Sequence, residues 1–292
     1  MNAPAAVGAA GHLDARTAEV WAQLAAVNDP ELDETVTELG FVTGVEVEAG
    51  GAVQIGFRLP TYWCAANFAY LMADDMRRAV AALPWVTKVA VRLGEHMYAD
   101  EINCGVAAGA SFQDTFGAAA NGEVEDVRQI FLVKAFQRRQ EALLSWLLAQ
   151  GGEGAVLVRV SMMELDALAS GLASASASDE ANGIRLVTRY RERRFVVGPR
   201  IDEAAQANAL AFVDSDGVPL DPAGLNTYLR ALRRVGVSTE FNGALCRGLL
   251  AARYGEAGTA TAVEIKPVHF MDLRAHGTGS PCADSGQAAR PT

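Results

Sequence analysis

The sequence lacks any CxxC pair: its four cysteines, Cys64, Cys104, Cys246 and Cys282, stand far apart. Secreted disulfide scaffolds are shorter and denser in cysteine, so a cytoplasmic, reducing setting is expected. The same spacing closes no zinc site, and a metal held by these thiols needs ligands distant in sequence or from a second chain. No apolar run approaches the roughly 20 residues of a membrane span, so no membrane partner is expected. Met1 to Gly11 is Ala-rich and has no basic stretch before an apolar one, unlike a secretory signal. An excess of basic charge is missing too. The net charge is −10, which argues against nucleic acid as a partner. The basic clusters at Arg189 to Arg200 and Arg230 to Arg234 then serve as solvated helix faces or partner contacts. There is no P-loop, no GxGxxG after a strand, no HExxH and no GxSxG elbow. The absence of paired Glu-x-x-His motifs excludes a bundle-type di-iron enzyme.

What is present is half hydrophobic over 292 residues, enough for one or two real cores. Asp14 to Val27 has Val20, Trp21, Leu24 and Val27 at helical spacing. Asn28-Asp29-Pro30-Glu31 breaks that helix. Phe41 to Val47 and Ala52 to Leu59 form a hairpin across Ala49-Gly50-Gly51. Thr61 caps a helix running to Ala82, and Trp85 to Leu93 is a third strand. The fold class expected is an α/β N-terminal domain, helix-hairpin-helix-strand with a small mixed sheet, followed by a mainly α-helical part. In that part Glu123 to Gln150, Ser161 to Leu172, Asp221 to Val235 and Asn242 to Tyr254 are expected helices. Asp100 to Ala110 is ambiguous, Ser174 to Gly183 is an expected exposed loop, and Asn208 to Leu220 an expected hairpin turning at Asp216-Gly217. The expected domains are a disordered lead-in (1–13), the α/β domain (14–96), a helical client-recognition region (97–273) and a disordered tail (274–292).

Cys64 is the residue with the most chemical promise. With Thr61 as N-cap it falls in the first turn of a helix, where free N–H groups and the helix dipole favour a thiolate. The competing reading is a buried, inert cysteine under Trp63. Asp29 and Glu31 could help hold a metal or a partner, or could simply cap the turn before Pro30. His96, after the third strand, could be a ligand, a base or a plain polar strand end. Cys104 and Cys246 fit packing better than ligation.

These motifs resemble a known family. The order Asn28-Asp29-Pro30-Glu31-Leu32, Glu38-Leu39-Gly40-Phe41-Val42, hairpin, Pro60-Thr61-Tyr62-Trp63-Cys64, helix, strand is similar to the SufT/PaaD-like iron–sulfur cluster assembly domain. The resemblance covers about residues 15 to 95. It implies a non-enzymatic factor that handles iron or an iron–sulfur cluster transiently, with Cys64 as the functional cysteine. Asp29, Glu31 and Thr61 match the family's acidic loop and threonine. The sequence departs from the pattern beside the cysteine, with Trp63 and Ala65 where Gly and Pro are frequent. The second part resembles accessory proteins of bacterial propane-type di-iron monooxygenases, through Glu101-Ile102-Asn103, Arg138-Arg139-Gln140 and the stretch Asn242 to Leu250. That implies a client metalloprotein or oxygenase subunit as partner, with a partner chain or a homodimer supplying further ligands. Two rival readings are a metal-free chaperone for an oxygenase subunit and a thiol enzyme with Cys64 as nucleophile and His96 as base.

Overall fold

The computed structural model describes residues 5–117, 124–171 and 177–255. They fall into two compact units, one of Met1–Val127 with Gly243–Thr292 and one of Arg128–Asn242. Of the disordered lead-in expected over 1–13, residues 1–4 lie outside the described residues and 5–13 are instead the first turns of a helix; the tail expected over 274–292 lies outside the described residues.

The first unit is built on a three-stranded sheet. After helix α1 (Ala5–Leu24), strands β1 (Val42–Val47) and β2 (Ala52–Phe57) pair antiparallel, and β3 (Lys88–Leu93) pairs parallel to β2, in the order β1-β2-β3. The hairpin closes at Gly51, whose φ of +84° is cheap only for glycine. Strand β2 alternates strictly, and Val53, Ile55 and Phe57 all face the core. A parallel pair needs a crossover, supplied here by helix α2 (Ala66–Ala81). Its buried face, Ala69, Tyr70, Met72, Ala73, Met76 and Val80, packs with Val20 and Leu24 of α1 and the inner face of the sheet. The small mixed sheet with flanking helices is the architecture the sequence predicts.

Helices α3 (Ala99–Ala108) and α4 (Phe112–Phe116) complete this side of the molecule. Ser111 caps α4, accepting from the Asp114 N–H while the Asp114 carboxylate accepts from the Ser111 N–H. The ambiguous stretch at 100–110 is thus helical, and Ile102 and Val106 join the same core as the sheet.

The second unit is helical: α5 (Val124–Ala149, from Arg128 onward), α6 (Gly154–Leu157), α7 (Met162–Gly171), α8 (Ala177–Arg194), α9 (Glu203–Gln206) and the first part of α10 (Leu225–Tyr254). Phe136, Leu143, Leu144, Leu165, Tyr190 and Phe212 form its core. The fully buried Gln140 donates to the Val213 carbonyl (2.9 Å) and to the Tyr228 hydroxyl (2.7 Å), and its Oε1 lies 2.8 Å from the Tyr190 hydroxyl. Each polar atom is answered, so the network fixes the 211–213 segment rather than leaving a binding group open.

Two expectations are corrected here. The exposed loop expected at Ser174 to Gly183 is helix α8 from Ala177 on, because Asp179 and Glu180 in its first turn and Arg191, Arg193 and Arg194 in its last match the helix dipole. The two helices expected at 221–235 and 242–254 are one, α10. No proline interrupts residues 225–254, and the glycines at 236, 243 and 248 weaken a helix without ending it.

Ile55 is fully buried in the middle strand. Ile55→Ala should destabilise the first unit by about 2–5 kcal/mol in urea unfolding, from lost transfer energy and the cavity left behind.

Candidate functional site

Strand direction assembles the site. Because β2 and β3 are parallel, their C-terminal ends share one edge of the sheet, and the start of antiparallel β1 lies there too. Three loops therefore converge: residues 28–41 before β1, 58–65 after β2, and 94–98 after β3. Such strand ends are where open sheets with parallel strands place functional groups. Backbone bonds tie the loops together: Arg58 N–H to the Phe41 carbonyl, Gly94 N–H to Phe57 and Met97 N–H to Tyr62, each 2.9 Å.

Cys64 lies on the middle loop, half-buried against the core and chemically free. The first-turn position expected for it is not what the chain adopts. Helix α2 starts at Ala66, and its N-cap is Ala65, extended at φ −59° and ψ 126° with no side-chain cap bond. Thr61 is therefore not the cap. Its hydroxyl has turned to the sulfur instead, with Oγ1 3.0 Å from Cys64 Sγ. The neighbouring Tyr62 and Trp63 are 49% and 51% exposed, so the cysteine is not sealed beneath Trp63.

His96 holds this loop by its backbone. Its Nε2 lies 2.8 Å from the Cys64 carbonyl oxygen, and its Nδ1 accepts from the Tyr98 N–H at 3.2 Å. An amide N–H can only donate, so Nδ1 is bare and the proton sits on Nε2. Burial pushes the imidazole pKa below its usual range, against the opposing pull of the Cys64 carbonyl. The ring is neutral, 5% exposed and committed at both nitrogens. It is placed to fix the cysteine loop, and its ring nitrogens do not reach for the sulfur.

Asp29 and Glu31 occupy the first loop. The Asp29 carboxylate accepts from the Glu31 N–H (2.9 Å) and the Leu32 N–H (2.8 Å), which is the capping role weighed for it. It is nevertheless deeply buried, and desolvation raises its pKa to about 6 despite those two donors.

Cys246, expected as apolar packing on its helix, does pack on the core of the first unit. The end of α10 returns to the first unit as residues 243–254, with Gly243, Cys246 and Leu250 on one face at helical spacing. Leu250 meets Gly40, and Arg247 pairs with Glu34 at 2.7 Å. Arg253 binds the Glu95 carboxylate at 3.0 Å and its carbonyl at 2.9 Å. Tyr254 carries Arg58 over its ring at 4.4 Å. Cys246 packs on the same core as Cys64. Burial raises its thiol pKa to about 11, helped by the nearby charges of Asp29, Cys64 and Glu31. The stripe at 243, 246 and 250 was the available sequence signal, but its target could not be read from spacing. Cys104, on α3, is disulfide-bonded and stands apart from the free thiols, where packing alone was expected for it. Among the described residues no three His, Cys, Asp or Glu side chains are arranged to hold a metal ion, and no helix is long and apolar enough to cross a membrane.

With this geometry in view, the comparisons with known proteins agree on the first unit. Residues 17–91 match the family described as "Iron-sulfur cluster assembly protein". A 70-residue stretch is 37% identical to the iron–sulfur cluster carrier protein of Mycobacterium leprae (strain TN), covering 24% of this chain and 18% of that protein. The chain thus spans less than a fifth of the length of the curated relative it matches. No solved structure matches. The chain contains an iron–sulfur cluster assembly domain at 17–91; nothing identifies the helical remainder.

A carboxylic acid whose pKa is higher folded than unfolded stabilises the fold most when protonated. That contribution is complete below the unfolded value of 3.8 and is lost as pH rises through about 6. Asn at position 29 keeps the accepting oxygen and drops the charge. Asp29→Asn should therefore gain stability relative to wild type as pH rises from 4 to 7, by up to about 3 kcal/mol, in urea unfolding followed across that range.

Proposed function

We propose that the chain is an assembly factor that carries iron or an iron–sulfur cluster transiently on Cys64 and passes it to a client protein. The observation that carries this reading is a free, half-buried thiol on a loop fixed at the sheet edge of a matched assembly domain. The relative in Mycobacterium leprae is a cluster carrier by name, which points the same way. Cys64 sits beside a hydroxyl that can donate to a ligated sulfur, and exposed Tyr62 and Trp63 flank it as contact surface for a second protein. One chain offers too few donors to saturate iron. Incomplete ligation suits cargo that must leave, and a partner or second copy would complete the set.

The chain acts on this reading without catalysing a reaction of its own. A thiol-enzyme mechanism would need His96 as base, and both ring nitrogens are engaged with backbone. The helical unit, Arg128–Asn242, is the part left to recognise the client. A di-iron oxygenase subunit is the client implied by the resemblance of that part to monooxygenase accessory proteins. A metal-free chaperone role is the contrasting reading, and cells settle between them. If Cys64→Ser restores client activity fully in cells lacking the wild type, the thiol is not the instrument.

Anaerobic reconstitution with ferrous iron and sulfide supplies the direct measurement. Wild type should retain iron after desalting and Cys64→Ser should retain little; equal iron on the two would sink the ligand role.

A further inference from the structure

The end of α10 is anchored on both sides of the cysteine loop. Upstream, Arg247 pairs with Glu34, and a Cβ on Gly243 would lie 3.6 Å from Glu34 Oε1, so the helix backbone itself approaches the loop that carries Asp29. Downstream, Leu250 meets Gly40, and Arg253 grips Glu95, the neighbour of the His96 that holds the Cys64 carbonyl. Cys246 lies between Gly243 and Leu250, on the helix face formed with them. It packs against the same core as Cys64, the two thiols are close enough to interact electrostatically, and they are the free cysteines among the described residues. Apolar packing at this position would be served as well by alanine or valine.

We propose that Cys246 is the second sulfur of the Cys64 site. The two thiols, from strand-end loop and final helix, form a bidentate half-site for a thiophilic iron centre. The remaining ligands come from the protein that receives the cargo. This rests on the assembly role proposed above and deepens it. Ligation replaces two S–H bonds with two S–Fe bonds and releases two protons, with no change of oxidation state. The second thiolate is held on the same chain, so it binds at high effective concentration and strengthens capture beyond what one sulfur achieves. It still leaves coordination positions open for transfer.

A trivalent arsenical tests the pairing apart from iron. Phenylarsine oxide condenses with two neighbouring thiols, forming two As–S bonds and releasing water, and a bridged adduct resists a competing monothiol. The full-length protein is treated without prior reduction, so that Cys104 stays in its disulfide. Peptide mapping of wild type should find the arsenic bridging the Cys64 and Cys246 peptides, with no variant required. Cys64→Ser and Cys246→Ala should each lose that resistant equivalent. No bridge, or a bridge between other cysteines, overturns the proposal. In anaerobic reconstitution Cys246→Ala should lose most of the iron that wild type retains. Should Cys246→Ala keep it while Cys64→Ser does not, the second-sulfur role falls and the assembly reading stands. Failure of the assembly reading looks different: Cys64→Ser then keeps wild-type iron.

Discussion

The parallel pairing of β2 with β3 is the constraint on which the site depends. Had the third strand returned antiparallel, the loop carrying His96 would emerge at the opposite edge from Cys64. With the register observed, Phe57 opposite Leu93, both strands end together and the chain continues from each into the same small volume. The core secures that register, because a slip of one residue would turn Val53, Ile55 and Phe57 outward. Hydrophobic burial along β2 therefore fixes, at second hand, where the imidazole meets the backbone of the cysteine loop.

Around that edge the polar groups divide into those that position and those that remain available. His96, Asp29 and Thr61 all have partners: a carbonyl and an amide, two amides, and a sulfur. On the proposed reading, what these leave for outside chemistry is sulfur, from Cys64 and Cys246. The grip of α10 on this unit is made of exposed ion pairs, each worth about 0.2–1 kcal/mol, together with the apolar contact at Leu250. The helix end is thus placed with modest force, in keeping with a site that must admit a second molecule.

Much of the first unit was legible in the sequence because its signals were local. Alternating β-branched residues, Gly51 at the turn and the apolar face of α2 each declare an element without reference to the rest of the chain. The cysteine loop was misplaced by one turn of helix. Thr61 is a good cap by residue type, yet its hydroxyl faces a sulfur, and Ala65 occupies the cap position without a side-chain bond. Residue preference cannot register that competition. The packing of Cys246 was legible, but which core it packs on was not. It lies 182 positions from Cys64 in sequence, and only tertiary packing brings its helix face to the sheet edge. The sequence was read as two helices, 221–235 and 242–254, which also concealed how far α10 runs.

The imidazole of His96 works as a rivet whose two ends differ in character. A proton added to Nδ1 would set two N–H groups against each other, the ring's and the Tyr98 amide's, while the Nε2–H would go on donating to the Cys64 carbonyl. Acid conditions therefore loosen the ring from the turn after β3 and leave its hold on the cysteine peptide in place.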